Sequence, residues 1–595
     1  MSTSADSSVD RSLPLDVEPA RHSRAQWEAA TAAVLRKTRT MAGEDPDSLV
    51  WEKLARTTLD GIAVPPLGVA ASTEDLPAPV RPPRVGPWDL RAPVLGGNSA
   101  DVVADLENGA TSLWVTATAD TDLATLLAGV MLDLAPVVLD APTAPRTAAE
   151  ELLALVAGHG VTPAPGTNLG VDPVGATVRG LCGTDADDLV TVARLALGAG
   201  MLGVVVDGTT VHDLGASDAQ ELGFTLAVGA SYLRSLVGAG IAVEDALGLL
   251  EFRYAATDEQ FPTIAKLRAA RACWARVAEL SGAGEDTRGQ RQHAVTSRPM
   301  MSAYDPYANM LRTTVAAFAA GVGGAEAVTV LPFDLPLGEP DAFGRRIARN
   351  VSSLLIAESH VAAVSDPAGG AYAVEQLTHD LAEAAWAEFG RIEDAGGVEA
   401  ALADGSLRTR IDDVVARRDA LVATRRHPIT GLSEFPNLAE VRPERRGEPD
   451  PVRRYGAAFE ALRADPPTGR VFLATMGTVA AHTARATFAT NLFAAGGVAV
   501  DSAGATGGPE QVVAAYAGQP VVCLAGTDGA YAEWGAELVS ALRDAGARRV
   551  ILAGKPSART VEADLLDDSC AMGLDALAFL GRTREALGQA REDAS

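Results

Sequence analysis

Short apolar runs alternate with amphipathic stretches from about Trp88 to His212. TSLWVTA (Thr111–Ala117), APVVLDA (Ala135–Ala141) and LGVVVDG (Leu202–Gly208) read as buried strands, bounded by turn residues and too short for buried helices. Between them, TAAEELLALVAGHG and DADDLVTVARLALGAG carry apolar residues at helical spacing, and the second closes on Gly198 and Gly200, as helix C-termini do. Repeated strand–helix units predict a parallel sheet with helices outside it. Six or more such units over ~250 residues predict an α/β TIM (β/α)8 barrel. The stretch Ala219–Leu280 is strongly helical, and helical patterns recur through Ala401.

A second strand–helix series begins at Arg470. RVFLATMG, GVAVDS, PVVCLAGTD and RRVILAGK are four strands, with a helix over Val479–Ala495, and they predict a flavodoxin-like doubly wound domain. The charged, Pro-bearing connector EVRPERRGEPDPVRR (Glu440–Arg454) reads as a linker with few buried contacts. Residues 1–25 are polar and predicted to stay unstructured until bound, a helical pattern covers Ala25–Arg39, and Val64–Pro87 is Pro-rich and extended. The expected organisation is an N-terminal extension over 1–50 that wraps a partner, a barrel with a helical segment over 51–435, a linker over 436–468 and the doubly wound domain over 469–595.

Composition narrows the function. The chain has 595 residues and a formal net charge of −27, which repels nucleic acid and anionic membrane surfaces. Four scattered cysteines without a CxxC pair fit a reducing compartment and no zinc site. No signal-peptide core and no membrane-length apolar run occurs, so a soluble, cytoplasmic protein is expected. The eight histidines show no HExxH or facial-triad spacing, and G-x-S-x-G and the P-loop are absent, which leaves hydrolase and nucleotide-triphosphatase readings without a motif.

Several strings carry a resemblance. FRYAATDEQFPTIAKLRAARACWARV (Phe252–Val277), MMSAYDPYANMLRTTVAAFAAGVGGAEAV (Met300–Val328), FGRRIARN (Phe343–Asn350), VSDPAGGAYAVEQLT (Val364–Thr378) and WEKLARTTLDGIAVPPL (Trp51–Leu67) resemble the methylmalonyl-CoA mutase family, in its order and spacing. The resemblance covers roughly Trp51 to Leu580. It implies a barrel threaded by coenzyme A, a cobalamin-type domain, and an adenosylcobalamin-dependent radical isomerisation of succinyl-CoA and methylmalonyl-CoA.

At the positions that carry this chemistry in the family, the sequence departs from the pattern. The family's D-x-H-x-x-G, whose His ligates cobalt, falls here on Ala480, His482 and Arg485. Loss of the carboxylate behind a ligating imidazole weakens binding about ten- to a hundred-fold, and Arg485 adds bulk where the cofactor tail threads. His482 is therefore expected on an exposed or interface turn. In RVGPWDLRAP (Arg84–Pro93), Pro93 falls where a Tyr abuts the migrating group, and the remaining Arg91 reads equally as the family's coenzyme A arginine or as a surface or capping residue. In DGTTVHDLGASDAQE (Asp207–Glu221), ungapped alignment puts Thr210 at the carbonyl-polarising His and His212 at the Gln. A two-residue shift restores His212, which otherwise reads as a satisfied histidine at a strand end. Tyr304, Asp305, Pro306, Tyr307 and Asn309 read as bracing barrel helices or a subunit interface.

Framework strings thus persist while catalytic and cofactor positions are substituted. The resemblance then implies a small subunit in a heterodimer, kept for assembly, with adenosylcobalamin, acyl-CoA and the catalytic residues on the large partner subunit. Two rivals stand beside it: a self-sufficient acyl-CoA mutase, and a mutase-associated binding or chaperone-like protein.

Overall fold

The computed structural model describes residues 22–592 apart from 81, 96–97, 182–183 and 558. Residues 1–21, most of the stretch expected to be unstructured, lie outside the described residues. The described residues fall into two units, divided between Val69 and Ala70.

In the first unit, the expected helix spans Arg24–Lys37, started by a capping box in which Ser23 and Gln26 bond each other's backbone. Its apolar residues Ala32 and Leu35 bury with Met41 and Val50, and the Trp27 and Trp51 rings meet at 4.8 Å. A two-stranded antiparallel ladder joins Arg56–Thr57 to Ala63–Val64.

The second unit contains a closed barrel of eight parallel strands. They are β1 (Asp89–Val94), β2 (Ser112–Thr116), β3 (Val137–Asp140), β4 (Asn168–Val171), β5 (Leu202–Asp207), β6 (Leu250–Ala256), β7 (Gln292–Thr296) and β8 (Ala327–Thr329), and β8 pairs back onto β1. Gly170 in β4 has φ +74°, and a Cβ there would lie 1.9 Å from the Leu139 carbonyl oxygen. Only glycine allows β3 and β4 to approach this closely where their neighbour's register shifts. Helix α1 (Thr209–Asp213) follows β5 directly, α2 (Asp218–Gly238) comes next, and α3 (Gln260–Leu280) covers β6 through Phe252 against Trp274, ring centroids 4.6 Å apart. Among the described residues, no helix is long and apolar enough to cross a membrane.

The C-terminal sheet has five parallel strands, β9 (Val471–Thr475), β10 (Val500–Ser502), β11 (Val521–Ala525), β12 (Arg549–Ala553) and β13 (Asp568–Cys570), in the order β10-β9-β11-β12-β13. The sequence pattern predicts four. The fifth has three residues, two of them polar, and leaves no hydropathy signal. Strand order reverses between β9 and β11, the place where doubly wound sheets open a ligand crevice. One face of this sheet shares a core with barrel-side residues: Tyr304, Val422, Ile429 and Leu432 pack with Phe459, Leu473, Phe493 and Phe579.

The connector differs from its expectation. Far from making few contacts, it is strapped to the barrel by a hydrogen bond and ion pairs. Glu440 accepts from the Asp305 N–H at 2.6 Å, Arg445 meets Asp334 at 2.5 Å and Asp450 meets Arg298 at 3.5 Å, while Arg454 meets Glu460 locally at 2.8 Å. Tyr304 is sandwiched by the guanidinium groups of Arg442 and Arg463, 4.3 and 4.1 Å from its ring centre.

Candidate functional site

Successive strand residues face opposite sides of a barrel wall. In β6 this sends Phe252 and Tyr254 outward to the helices and Glu251 and Arg253 inward, so the lumen receives charge. Arg91, read from sequence as a surface or capping residue, is fully buried there: its Nη1 and Nη2 reach Glu251 Oε1 and Oε2 at 2.6 and 3.3 Å. Arg291 adds a third contact to Glu251 at 2.9 Å. One layer higher, Arg253 bonds Asp207 at 2.8 Å and stacks on Trp114, 4.3 Å from the ring centre.

Arg253 Nε donates to His293 Nδ1 at 3.2 Å, so the imidazole proton sits on Nε2 and points at Thr329 Oγ1, 2.7 Å away. Burial, with Arg91, Arg253 and Arg291 nearby, holds His293 well below its ordinary pKa and therefore neutral. Burial pushes Asp207 up, but Arg253 and Arg179 outweigh it and keep the carboxylate below its usual range. These side chains fill the lumen at this height.

Above the plug, at the C-terminal mouth, lies a cavity of about 1080 Å³. Pro93, Thr210 and His212, the barrel positions singled out from sequence, all line it. Pro93 supplies only an apolar wall. Thr210 turns its hydroxyl back to the Asp207 carbonyl at 2.8 Å. His212 lies in α1, whose start is fixed by Asp207 accepting from the Thr209 N–H at 2.9 Å. Its Nε2 is 2.7 Å from Ser297 Oγ, and its Nδ1 is 3.5 Å from Glu221 Oε2.

The cavity's guanidinium groups are already taken. Arg179 meets Asp140 at 3.1 Å, Arg408 meets Asp412 at 2.9 Å and Arg453 meets Asp419 at 2.7 Å. Arg298, Arg345 and Arg349 pair with Asp213, Asp101 and Asp105. Among the described residues, every arginine lining the cavity has a carboxylate partner.

In the C-terminal domain the helix Val479–Ala495 begins three residues before His482. His482 is not on an exposed turn: it is buried in the first helical turn, and its Nδ1 has no hydrogen-bond partner among the described residues. Ala480 offers no carboxylate to it. Arg485, one turn on, donates from Nη1 to the Gly526 carbonyl at 2.7 Å, pairs with Asp528 and lies 4.8 Å over the Tyr531 ring. Tyr531 is buried, and its hydroxyl accepts from the Gly526 N–H at 3.0 Å and reaches the Ala553 carbonyl at 2.8 Å, tying the ends of β11 and β12 together. The crevice at the strand-order switch is thus filled by this chain's own side chains. Arg485 and Tyr531 occupy the space beside His482's helix at this end of the sheet, and Ala480 leaves the imidazole without a carboxylate partner. No group of three metal-ligating side chains occurs among the described residues.

Of the residues singled out from sequence, the structure gathers Pro93, Thr210 and His212 at the barrel mouth and Ala480, His482 and Arg485 at the start of one helix. Asn309 braces the barrel, bonding the Ser302 N–H and the Phe333 carbonyl at 3.0 and 2.9 Å, whereas Tyr307 is half exposed. Sequence reasoning missed Ser297, Glu221, Arg253, His293 and Tyr531. The charged residues inside otherwise apolar β6 and β7 were the available signal for Arg253 and His293.

The methylmalonyl-CoA mutase family model matches residues 200–499. The chain is 45% identical to the methylmalonyl-CoA mutase small subunit of Streptomyces virginiae, over 98% of this chain and 99% of the relative. It is 41% identical to the probable methylmalonyl-CoA mutase small subunit of Mycobacterium bovis, over 90% and 93%. It is 35% identical to the methylmalonyl-CoA mutase small subunit of Propionibacterium freudenreichii subsp. shermanii, over 95% of each chain.

Proposed function

This chain belongs to the methylmalonyl-CoA mutase family, and we propose that it is the small subunit of an adenosylcobalamin-dependent mutase, supporting an isomerisation that its large partner subunit performs. The observation that carries this reading is the self-filled crevice at the β9/β11 switch, where Arg485 and Tyr531 stand in the path of the cofactor tail. The plugged lumen and the fully paired arginines of the barrel mouth agree with it, because a dicarboxylic acyl-CoA has neither a passage nor a free cation there. In this role the chain holds the large subunit's domains in register and shields its radical intermediates from water. The N-terminal extension is the segment proposed to wrap the partner.

The test is to purify the chain alone and together with a co-expressed large subunit, then record the visible cobalamin spectrum and mutase turnover of each. A colourless, inactive chain beside a complex that binds one adenosylcobalamin per heterodimer and turns over supports the reading. Cobalamin binding and isomerisation by the chain alone overturn it in favour of a self-sufficient mutase. A weak, exchangeable complex with the active enzyme favours the chaperone-like alternative.

A further inference from the structure

The barrel cavity holds a side-chain constellation that the subunit role does not use. Ser297, just past the end of β7, has its Oγ 2.7 Å from His212 Nε2, and both residues line the cavity. Behind the imidazole, Glu221 Oε2 is 3.5 Å from His212 Nδ1. Glu221 is itself immobilised: a capping box of Ser217 and Gln220 starts α2, Glu221 Oε1 accepts from the Ala255 N–H at 2.7 Å, and its Oε2 takes Lys266 Nζ at 2.8 Å. A carboxylate facing Nδ1 keeps the ring proton on that side and leaves Nε2 to accept from the serine hydroxyl. The Met300 N–H donates to the same Oγ at 3.3 Å, and Tyr455 also reaches it.

Nucleophile, base and orienting carboxylate in this order form the arrangement that activates a serine for acyl transfer. It is recognised by geometry and not by sequence order, and its hydrogen bonds are often long before substrate binds. Ala255, Val295 and Leu331 give the same cavity apolar lining, and Arg298 next to Ser297 is paired with Asp213.

We propose that Ser297 is the nucleophile of a hydrolytic activity on small activated acyl compounds, esters or thioesters whose acyl group is uncharged. Ser297 Oγ forms a bond to the carbonyl carbon while its proton passes to His212 Nε2. The carbon–oxygen or carbon–sulfur bond to the leaving group breaks, and that proton goes to the departing alkoxide or thiolate. Water then attacks the acyl-serine, gives a proton to His212, and releases the carboxylic acid as Ser297 regains its hydrogen. No electron is gained or lost. Glu221 is a positioning residue.

The experiment uses the full chain with p-nitrophenyl butyrate as oxygen ester and S-butyryl-N-acetylcysteamine as thioester, and separately with a fluorophosphonate followed by peptide mass mapping. The expected result is turnover above buffer with at least one substrate and a phosphonate adduct on Ser297. Turnover should fall at least about 100-fold in Ser297→Ala and in His212→Gln, with thermal melting retained. Glu221→Gln should move the acidic limb of the pH–rate profile to lower pH, which a purely structural role of Glu221 does not do. Wild-type rates equal to buffer with both substrates, full turnover in Ser297→Ala, or no adduct on Ser297 overturn the proposal. The adduct test needs no variant, so misfolding of a variant does not obscure the answer.

Discussion

Arg91 of β1 and Glu251 of β6 meet inside the barrel lumen as a doubly hydrogen-bonded ion pair, 2.6 and 3.3 Å long, with neither side chain touching solvent. Such a pair gains little over apolar residues that fill the same space, but removing one partner strands a buried charge at a cost of about 3–5 kcal/mol. Arg91→Met leaves Glu251 with Arg291 as its remaining cation, 2.9 Å away, so it should lower the urea-unfolding free energy by less than that, about 2 kcal/mol. The double variant Arg91→Met, Glu251→Leu should recover most of the loss, because the buried carboxylate is gone and Arg291, which is partly exposed, can turn to solvent. A double variant no more stable than the single one refutes this account of the lumen.

Much of the fold was legible because apolar runs in β2, β3, β5, β9, β11 and β12 are bounded by turn residues. The lumen was not, because it inverts the usual rule: in β6 the polar Glu251 and Arg253 face the barrel axis while Phe252 and Tyr254 face the covering helices. A charged residue in such a strand reads from sequence as a surface group, as Arg91 did. His482 was placed in register at the start of its helix, yet its burial depends on neighbours distant in sequence. Ser297 and His212 are 85 positions apart, so their proximity exists only once the barrel closes. The connector misled for a related reason: a run of arginines and acids looks solvated until Arg445 and Asp450 find Asp334 and Arg298 on the barrel.

Asp172 gives the unit a pH dependence of definite sign. Burial, with Asp207 nearby, pushes its carboxyl up to about 6, against the Tyr232 hydroxyl at 2.5 Å, which favours the charged form. An acid whose pKa is raised on folding contributes its stability below the unfolded value and loses it as pH rises through the folded one. Stability should thus decline through pH 4 to 6 from this group. Asp172→Asn keeps an acceptor for the Tyr232 hydroxyl and the Gly175 N–H, and should flatten the decline. The check is urea unfolding of both proteins at several pH values; parallel curves contradict the assignment.

Arg445 fastens the connector to the barrel through Asp334, whose side chain is fully buried, and through Asp341 at 3.0 Å. Arg445→Ala leaves Asp334 without a cation in a confined site, where Gly344 already approaches its Oδ1. The expected loss is about 3 kcal/mol, and it should be local before it is global. Amide exchange over residues 444–450 should rise while that of β11 and β12 stays unchanged. Equal acceleration in both regions shows instead that the strap and the sheet unfold together.

The self-filled crevice makes two predictions that separate stability from ligand binding. Tyr531→Phe removes the hydroxyl that serves the Gly526 N–H and the Ala553 carbonyl. It should cost about 1–3 kcal/mol, the penalty for leaving buried backbone groups unpaired. Arg485→Gly clears the guanidinium that covers Tyr531 and caps Gly526, restoring the residue type the family's tail path uses. Alone it should not yield a cobalamin site, because Ala480 still gives His482 no carboxylate. Adding Ala480→Asp to Arg485→Gly supplies both missing features. If bulk and the absent carboxylate are what exclude the cofactor, hydroxocobalamin should show a visible-spectrum shift with the double variant and none with either single one. A shift with Arg485→Gly alone would make steric filling the whole barrier; no shift even with the double variant would place the barrier in Tyr531, whose ring still lies beneath the cleared path.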